Sequence, residues 1–308
     1  MRFTKPPLSY EQQADLLIAR GLKADREKLI QRLERVNYYR LSAYWYPYRL
    51  PGSDDLQPDT DFEMIWEHYI FDRQLRVLVM DAIERVEVAI KTQLANYLAL
   101  HFGSFSHLDR ANLPKLRFDQ HRRMLGKIQK SEDRSQEPFV IHYHQKYTSE
   151  TNMPVWMAVE AMDFGTVLTL YRGCDQYTKR AIATPFGLSA RILESWLLTL
   201  NYVRNICAHH ARLWNRVLSV PPGLPNRSNQ PDFHLPVSIP TNRTFTILTI
   251  LQFLLKHIAP QSAWASRLEC LWSEKHPNIP ISRMGFPANW KECPIWKAPS
   301  SPSTGEAK

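Results

Sequence analysis

"DFEMIWEHYIFDRQLRVLVMDAIERVEVAIKTQLANYLALHFG", residues 61 to 103, decides the fold class. Leu75, Val79, Ala82, Val86 and Ala89 recur every three or four residues, while Glu84, Arg85, Glu87 and Lys91 mostly lie away from them, the pattern of a helix with one buried stripe. The spacing predicts a long central helix from Asp61 to Gly103, broken at most once. Outward from it, helical periodicity continues in both directions. "SYEQQADLLIARG" sets Ser9 and Gln12 at capping-box spacing with Gly21 at the stop, and "DREKLIQRLERVN" follows. On the C-terminal side, "HRRMLGKIQK" reads as a short helix beside a loop, then "PFVIHYHQKY" and "MPVWMAVEAMDFGTVLTLYRG", with Pro154 suited to a first helical turn and Gly173 to a stop. Pro185 and Gly187 precede a long helix starting near Ser189. After Pro-rich "PPGLPNRSNQPDFHLPVSIP" come two more, "TNRTFTILTILQFLLKHIAP" and "QSAWASRLECLWSEKH". No alternating strand pattern and no internal repeat interrupts them. The chain is expected to be all-α: an N-terminal helical appendage over 1–55, a helical domain over 56–293, and a disordered, Pro-rich tail over 294–308.

With 308 residues, 44% of them hydrophobic, the chain has material for a substantial core. Its formal net charge of +9 favours an anionic partner such as nucleic acid or an acidic surface. The charge is unevenly spread. Residues 52–72 hold seven acidic side chains and no Lys or Arg, whereas residues 110–134 hold eight basic against three acidic, and residues 178–216 six basic against Glu194 alone. Cys174, Cys207, Cys270 and Cys293 form no C-x-x-C pair, which argues against a thiolate zinc site and a disulfide scaffold. "MRFTKPPLSYEQQADLL" lacks the apolar run of a signal peptide, and apolar stretches elsewhere are too short to span a bilayer. The expectation is a cytoplasmic protein without a membrane partner.

"LTLNYVRNICAHHARLWNR", residues 198–216, places chemistry inside a helical pattern. Ile192, Trp196, Leu200, Val203, Cys207, Ala211 and Trp214 make a stripe at helical spacing. Asn205 and His209, four apart, share a face, where the amide can bond an imidazole nitrogen and fix its tautomer; Arg212, three further on, adds charge there. Arg204 stands five residues from His209, roughly 140° around an ideal helix. Three arrangements could bring the pair together: local deformation of the helix, a curled arginine, or two copies of the helix facing each other. A histidine titrates near neutrality and moves protons, while a guanidinium grips phosphate with paired hydrogen bonds. Such a set suits RNA cleavage: histidine as base toward a ribose 2′-hydroxyl or as acid toward the leaving 5′-oxygen, arginine stabilising charge on phosphorus. Taken alone, however, an Arg and a His at this spacing are more often ordinary polar residues.

At these residues the sequence resembles the Abi-like family of bacterial proteins (abortive infection, bacteriophage resistance), within the HEPN superfamily of helical domains. "VRNICAHHARLWNR" is similar to the family signature, and Arg204, Asn205 and His209 fit the R-x-x-x-x-H ribonuclease motif with its polar residue after the arginine. "RGLKADREKLIQRLERVNYYRLSAYWYPYR", "FDRQLRVLVMDAIERVEVAIKTQLANYL" and "WMAVEAMDFGTVLTLY" resemble the N-terminal region, the first core helix and the segment preceding the motif helix, so the likeness covers most of residues 8–215. It implies a HEPN-type helical bundle core with an N-terminal extension and additional C-terminal helices. It also implies metal-independent endoribonuclease activity and a homodimer that brings two motifs together. Catalysis would fall to Arg204, Asn205 and His209. The family's links to phage defence, toxin–antitoxin-like regulation and small structured RNAs imply RNA as the partner. The alternative is a non-catalytic RNA-binding module of a toxin–antitoxin-like ribonucleoprotein.

Further RNA contacts are expected from His210, Arg212 and Arg216 around the motif, and from two other regions. "NYYRLSAYWYPYR" packs aromatic rings among Arg40 and Arg49; most are expected to pin the N-terminal helices to the core, with one or two rings, Tyr44 among them, and Arg40 left for RNA. Arg122, Arg123 and Lys127, in the basic run with Arg117 and Lys130, form a candidate phosphate track on what could equally be a solvated helix face. Glu84 and Glu87 could orient the motif, although surface ion pairing is the simpler reading. His142 and His144 diverge on a helix and have no carboxylates at ligand spacing, so no metal site and no cofactor are expected.

Overall fold

In the computed structural model, which describes Arg2 and residues 6–297, all regular elements are helices, and β-type pairing among the described residues is limited to isolated bridges. Local capping sets the first boundaries. In α1 (Tyr10–Ala19) the Ser9 and Gln12 capping box is formed, and Gly21 turns the chain at φ 93°. Asp25 caps α2 (Arg26–Arg35), and Asn37 caps α3 (Tyr38–Trp45). The decisive stretch is one unbroken helix, α4 (Phe62–Phe102), 41 residues and therefore roughly 60 Å long. Asp61 accepts hydrogen bonds from the Glu63 and Met64 amides at one end, and Gly103, at φ 87°, stops the other. Leu75, Val79, Ala82 and Val86 are buried as their spacing predicts, with Ala89 half-buried at the edge.

The remaining helices gather around α4. The basic stretch forms α5 (Phe118–Arg134), longer than its sequence pattern suggests, and α6 (Pro138–Lys146) follows. The segment after Met153 splits into α7 (Val155–Ala161) and α8 (Phe164–Gly173), because Asp163 leaves helical geometry to cap the Thr166 amide. Then come α9 (Gln176–Ala183), α10 (Ala190–Ala208), α11 (Thr244–Ile258) and α12 (Trp264–Cys270), the last running into a π turn. The long helix packs against α3 and α7 to α12, so it serves as the axis of the fold.

Neither boundary drawn from sequence interrupts the core. Leu17, Leu29, Tyr44 and Trp45, within 1–55, belong to one continuous buried cluster with α4 and the C-terminal helices. At the other end, Pro294–Lys297 is packed rather than loose. Ile295 is buried, the Trp296 indole donates to the Thr249 hydroxyl at 3.0 Å, and the Lys256 ammonium donates to the carbonyls of Pro294 and Lys297. The rest of the expected tail, 298–308, lies outside the described residues. No described helix is long and apolar enough to cross a membrane.

Candidate functional site

The motif helix ends earlier than its apolar stripe suggests. Ser189 caps the start of α10, and Ile192, Trp196, Leu200, Val203 and Cys207 follow the expected inward arc, with Ile192 at its half-buried edge. The helix stops at Ala208, and His209 is its C-cap. His210 takes the left-handed conformation at φ 56°, its amide bonding the Cys207 carbonyl and the Ala211 amide that of Ile206, which is a Schellman closure with histidine where glycine is usual. Ala211 and Trp214 therefore do not continue the helical stripe. Trp214 is buried by a different route, its ring 4.3 Å from that of His68.

The chain beyond the cap is fastened by a buried polar cluster at the middle of α4. Asp72, with no exposed surface, accepts from the Trp214 amide at 2.6 Å, from the Leu213 amide at 3.1 Å, from the Tyr44 hydroxyl at 2.6 Å and from Arg76. Burial pushes the Asp72 carboxyl upward, while Arg76, the tyrosine and the two amides act to hold it ionised. Thr244 on α11 donates to the Leu213 carbonyl at 3.0 Å. From α3, Arg40 donates to the His210 carbonyl, and in return Arg212 donates to the Ala43 carbonyl, both at 2.5 Å. The loop that follows the motif is thus held by α3, α4 and α11 together.

This clamp sorts the expected site residues. Asn205 and His209 are exposed and Arg204 half-buried, and the three make no side-chain hydrogen bond among the described residues; the expected amide–imidazole bond is not formed. His210 is also exposed. Tyr44 is 1% exposed and bonded to Asp72, so it cannot stack on a base, which corrects the expectation for that ring. The exposed rings of that segment are Tyr39 and Tyr46. Arg212 is corrected as well: with the helix ended it turns inward, and burial pulls its pKa down, which marks a structural tie rather than a free cation on the motif face. Arg216 is half-buried, donating to the Arg212 carbonyl and the Tyr202 hydroxyl, and Arg40 is exposed but already engaged with the motif loop. Arg122, Arg123 and Lys127 are exposed on α5, away from the motif.

Sequence reasoning missed Asp72 and Arg76. Their i, i+4 spacing is visible, but Asp72 is one of the seven acidic residues in the run over 52–72, and only the tertiary fold reveals its burial. Glu84 is exposed without an ion pair among the described residues, and Glu87 pairs at 3.3 Å with the buried Lys91, so neither matches the surface ion pairing expected of them. The Cys207 thiol, pushed up to about 12 by burial, is unsuited as a nucleophile. No group of three His, Cys, Asp or Glu residues able to hold a metal ion occurs among the described residues.

A family described as Abi-like protein matches residues 31–215, a span that runs from α2 through the motif helix and its clamped loop. No curated protein and no solved structure matches the chain.

Proposed function

Because the chain belongs to the Abi-like protein family, whose members are associated with phage resistance, we propose that it is a HEPN-type, metal-independent endoribonuclease acting as a toxin or abortive-infection effector. The observation that carries this reading is the division of labour at the end of α10. Every arginine around the motif except Arg204 is tied to a backbone carbonyl, while Arg204, Asn205 and His209 have no side-chain hydrogen-bond partner among the described residues and stand on a clamped terminus. Side chains kept free on an immobile frame are what a preorganised site requires.

His209 moves the proton, taking it from the 2′-hydroxyl or returning it to the 5′-oxygen; Arg204 holds the phosphate; Asn205 orients the imidazole once substrate is bound. The ideal-helix separation of roughly 140° between Arg204 and His209 makes a site composed by two copies the natural assembly. Cleavage of RNA in the presence of a chelator tests the proposal. Wild type should leave 2′,3′-cyclic phosphate ends, and His209→Ala or Arg204→Ala should each lower the rate by about 10²- to 10⁴-fold with the fold intact. Salt-sensitive RNA binding that survives both substitutions, without any cleavage, would identify a non-catalytic RNA-binding module instead.

A further inference from the structure

A concave site lies at the opposite end of α10 from the motif, walled by α5, α8 and α9, with a cavity volume of about 580 Å³. Its charged lining is Lys115, Arg123, Lys127, Arg172 and Lys179 against a single carboxylate, Glu194. Lys179 is 8% exposed and pairs with Glu194 at 2.8 Å; Arg172 reaches the other oxygen of the same carboxylate at 3.3 Å. One acid is thereby shared between a buried lysine and an exposed arginine. On the rim, Arg123 pairs with Asp119 at 2.6 Å, whereas Lys115 and Lys127 have no ion-pair partner among the described residues.

The walls are built rather than incidental. The loop carrying Lys115 donates its amide to the Gly173 carbonyl at 3.0 Å, and it lies so close that a Cβ at Gly173 would stand 2.8 Å from Leu116 Cγ. Only glycine there lets the basic loop close against the end of α8. Gln120, Thr166 and Thr169 add neutral polar groups, and the apolar lining is Leu116 and Met124. The size falls within the roughly 300–1,000 Å³ of small-molecule sites. The lining holds no aromatic ring on which a base could stack, so recognition there rests on charge.

We propose that this cleft binds a compact ligand carrying two or more linked phosphate groups, gripped by Lys115, Arg123, Lys127 and Arg172 at the rim with Lys179 below. It is separate from the motif: Glu194 and His209 are fifteen residues apart on α10, roughly 22 Å along its axis. The inference stands independently of the nuclease reading, and it gives Arg123 and Lys127 a different ligand from the RNA expected in sequence.

Isothermal titration of the full chain with tripolyphosphate tests it, with ATP, orthophosphate and a short single-stranded RNA as parallel arms. The expected result is saturable one-to-one binding of tripolyphosphate, matched by ATP within a few-fold, weaker for orthophosphate, and reduced at least about tenfold in the Arg123→Glu, Lys127→Glu double variant. His209→Ala should bind as wild type does. Both substituted rim residues are exposed, and unchanged thermal unfolding confirms that the variant is folded; Lys127→Gln offers a milder change with a smaller loss. Absence of saturable tripolyphosphate binding, or binding indifferent to the double reversal, overturns the proposal. So does RNA affinity that falls with the reversal when tripolyphosphate does not bind, because the cleft would then belong to an RNA path.

Discussion

Replacing Asp72 by alanine would strand the Arg76 guanidinium in the interior and leave the Leu213 and Trp214 amides without their acceptor. Breaking one side of a buried charge pair usually costs about 3–5 kcal/mol, so Asp72→Ala should lower the denaturation free energy by about that much, measured in guanidinium or urea. Adding Arg76→Met should recover part of the loss, since it removes the unpaired charge; a fully additive double variant would refute the pairing. His68 supplies a second test at the same level. Its ring is buried against Trp214, and burial pulls its pKa from 6.5 to about 4. Above pH 6.5 the imidazole is neutral in both states, but between 6.5 and 4 the unfolded chain takes up a proton that the folded chain resists, so stability is lost as pH falls through that window. Other groups titrate nearby, among them Glu132, pushed up to about 7 with the opposite sign, so the informative quantity is a difference. The stability advantage of wild type over His68→Gln should shrink by about 2 kcal/mol between about pH 7 and about pH 5, and a constant difference would show that His68 is not the group responsible.

At the scale of an element, the end of α10 matters most, and it stops on a residue that ordinarily disfavours the required geometry. His210 sits at φ 56°, where glycine carries no steric penalty. His210→Gly should therefore stabilise the protein by about 0.5–1 kcal/mol, raising the melting temperature, provided the His210 side chain has no structural partner; a destabilised variant would mean that the imidazole itself holds the loop. This cap also explains what could and could not be read from sequence. The boundaries of α1, α2 and α4 were legible because Ser9, Asp25, Asp61, Gly21 and Gly103 act locally. The end of α10 was not, because a histidine occupies the left-handed position and the apolar spacing continues to Trp214 for a reason outside the helix, namely the pocket beside His68. The break between α7 and α8 was obscured in the same way by an apolar run that crosses Asp163. Arg204, Asn205 and His209 could be singled out by residue type; that Tyr44 and Arg212 serve the clamp instead depends on contacts across more than 25 residues of sequence.

For the whole molecule, the all-helical class followed from periodicity alone, but the single core joining the N-terminal helices to Pro294–Lys297 did not, since it requires Tyr44, Trp45 and Trp296 to be seen packed. The same long-range order bears on assembly. The clamp fixes the motif loop to α3, α4 and α11, which leaves a single copy little freedom to twist Arg204 toward His209. If the site is composite, each of its two halves comes from a different copy, and a mixing experiment reads this directly. On that reading, Arg204→Ala and His209→Ala should each be close to inactive as homodimers. In a mixed dimer, one site carries both lesions and the other carries neither, because the intact Arg204 of one copy faces the intact His209 of the other. Random exchange of equal amounts should restore about a quarter of wild-type cleavage, since half of the dimers are mixed and each has one working site. Sites contained within one copy would give no recovery, because every copy in the mixture bears a lesion. Measuring cleavage after co-refolding or subunit exchange of the two variants, alongside sedimentation to verify the dimer, separates these cases; inactivity of a verified mixed dimer would place Arg204 and His209 on the same copy.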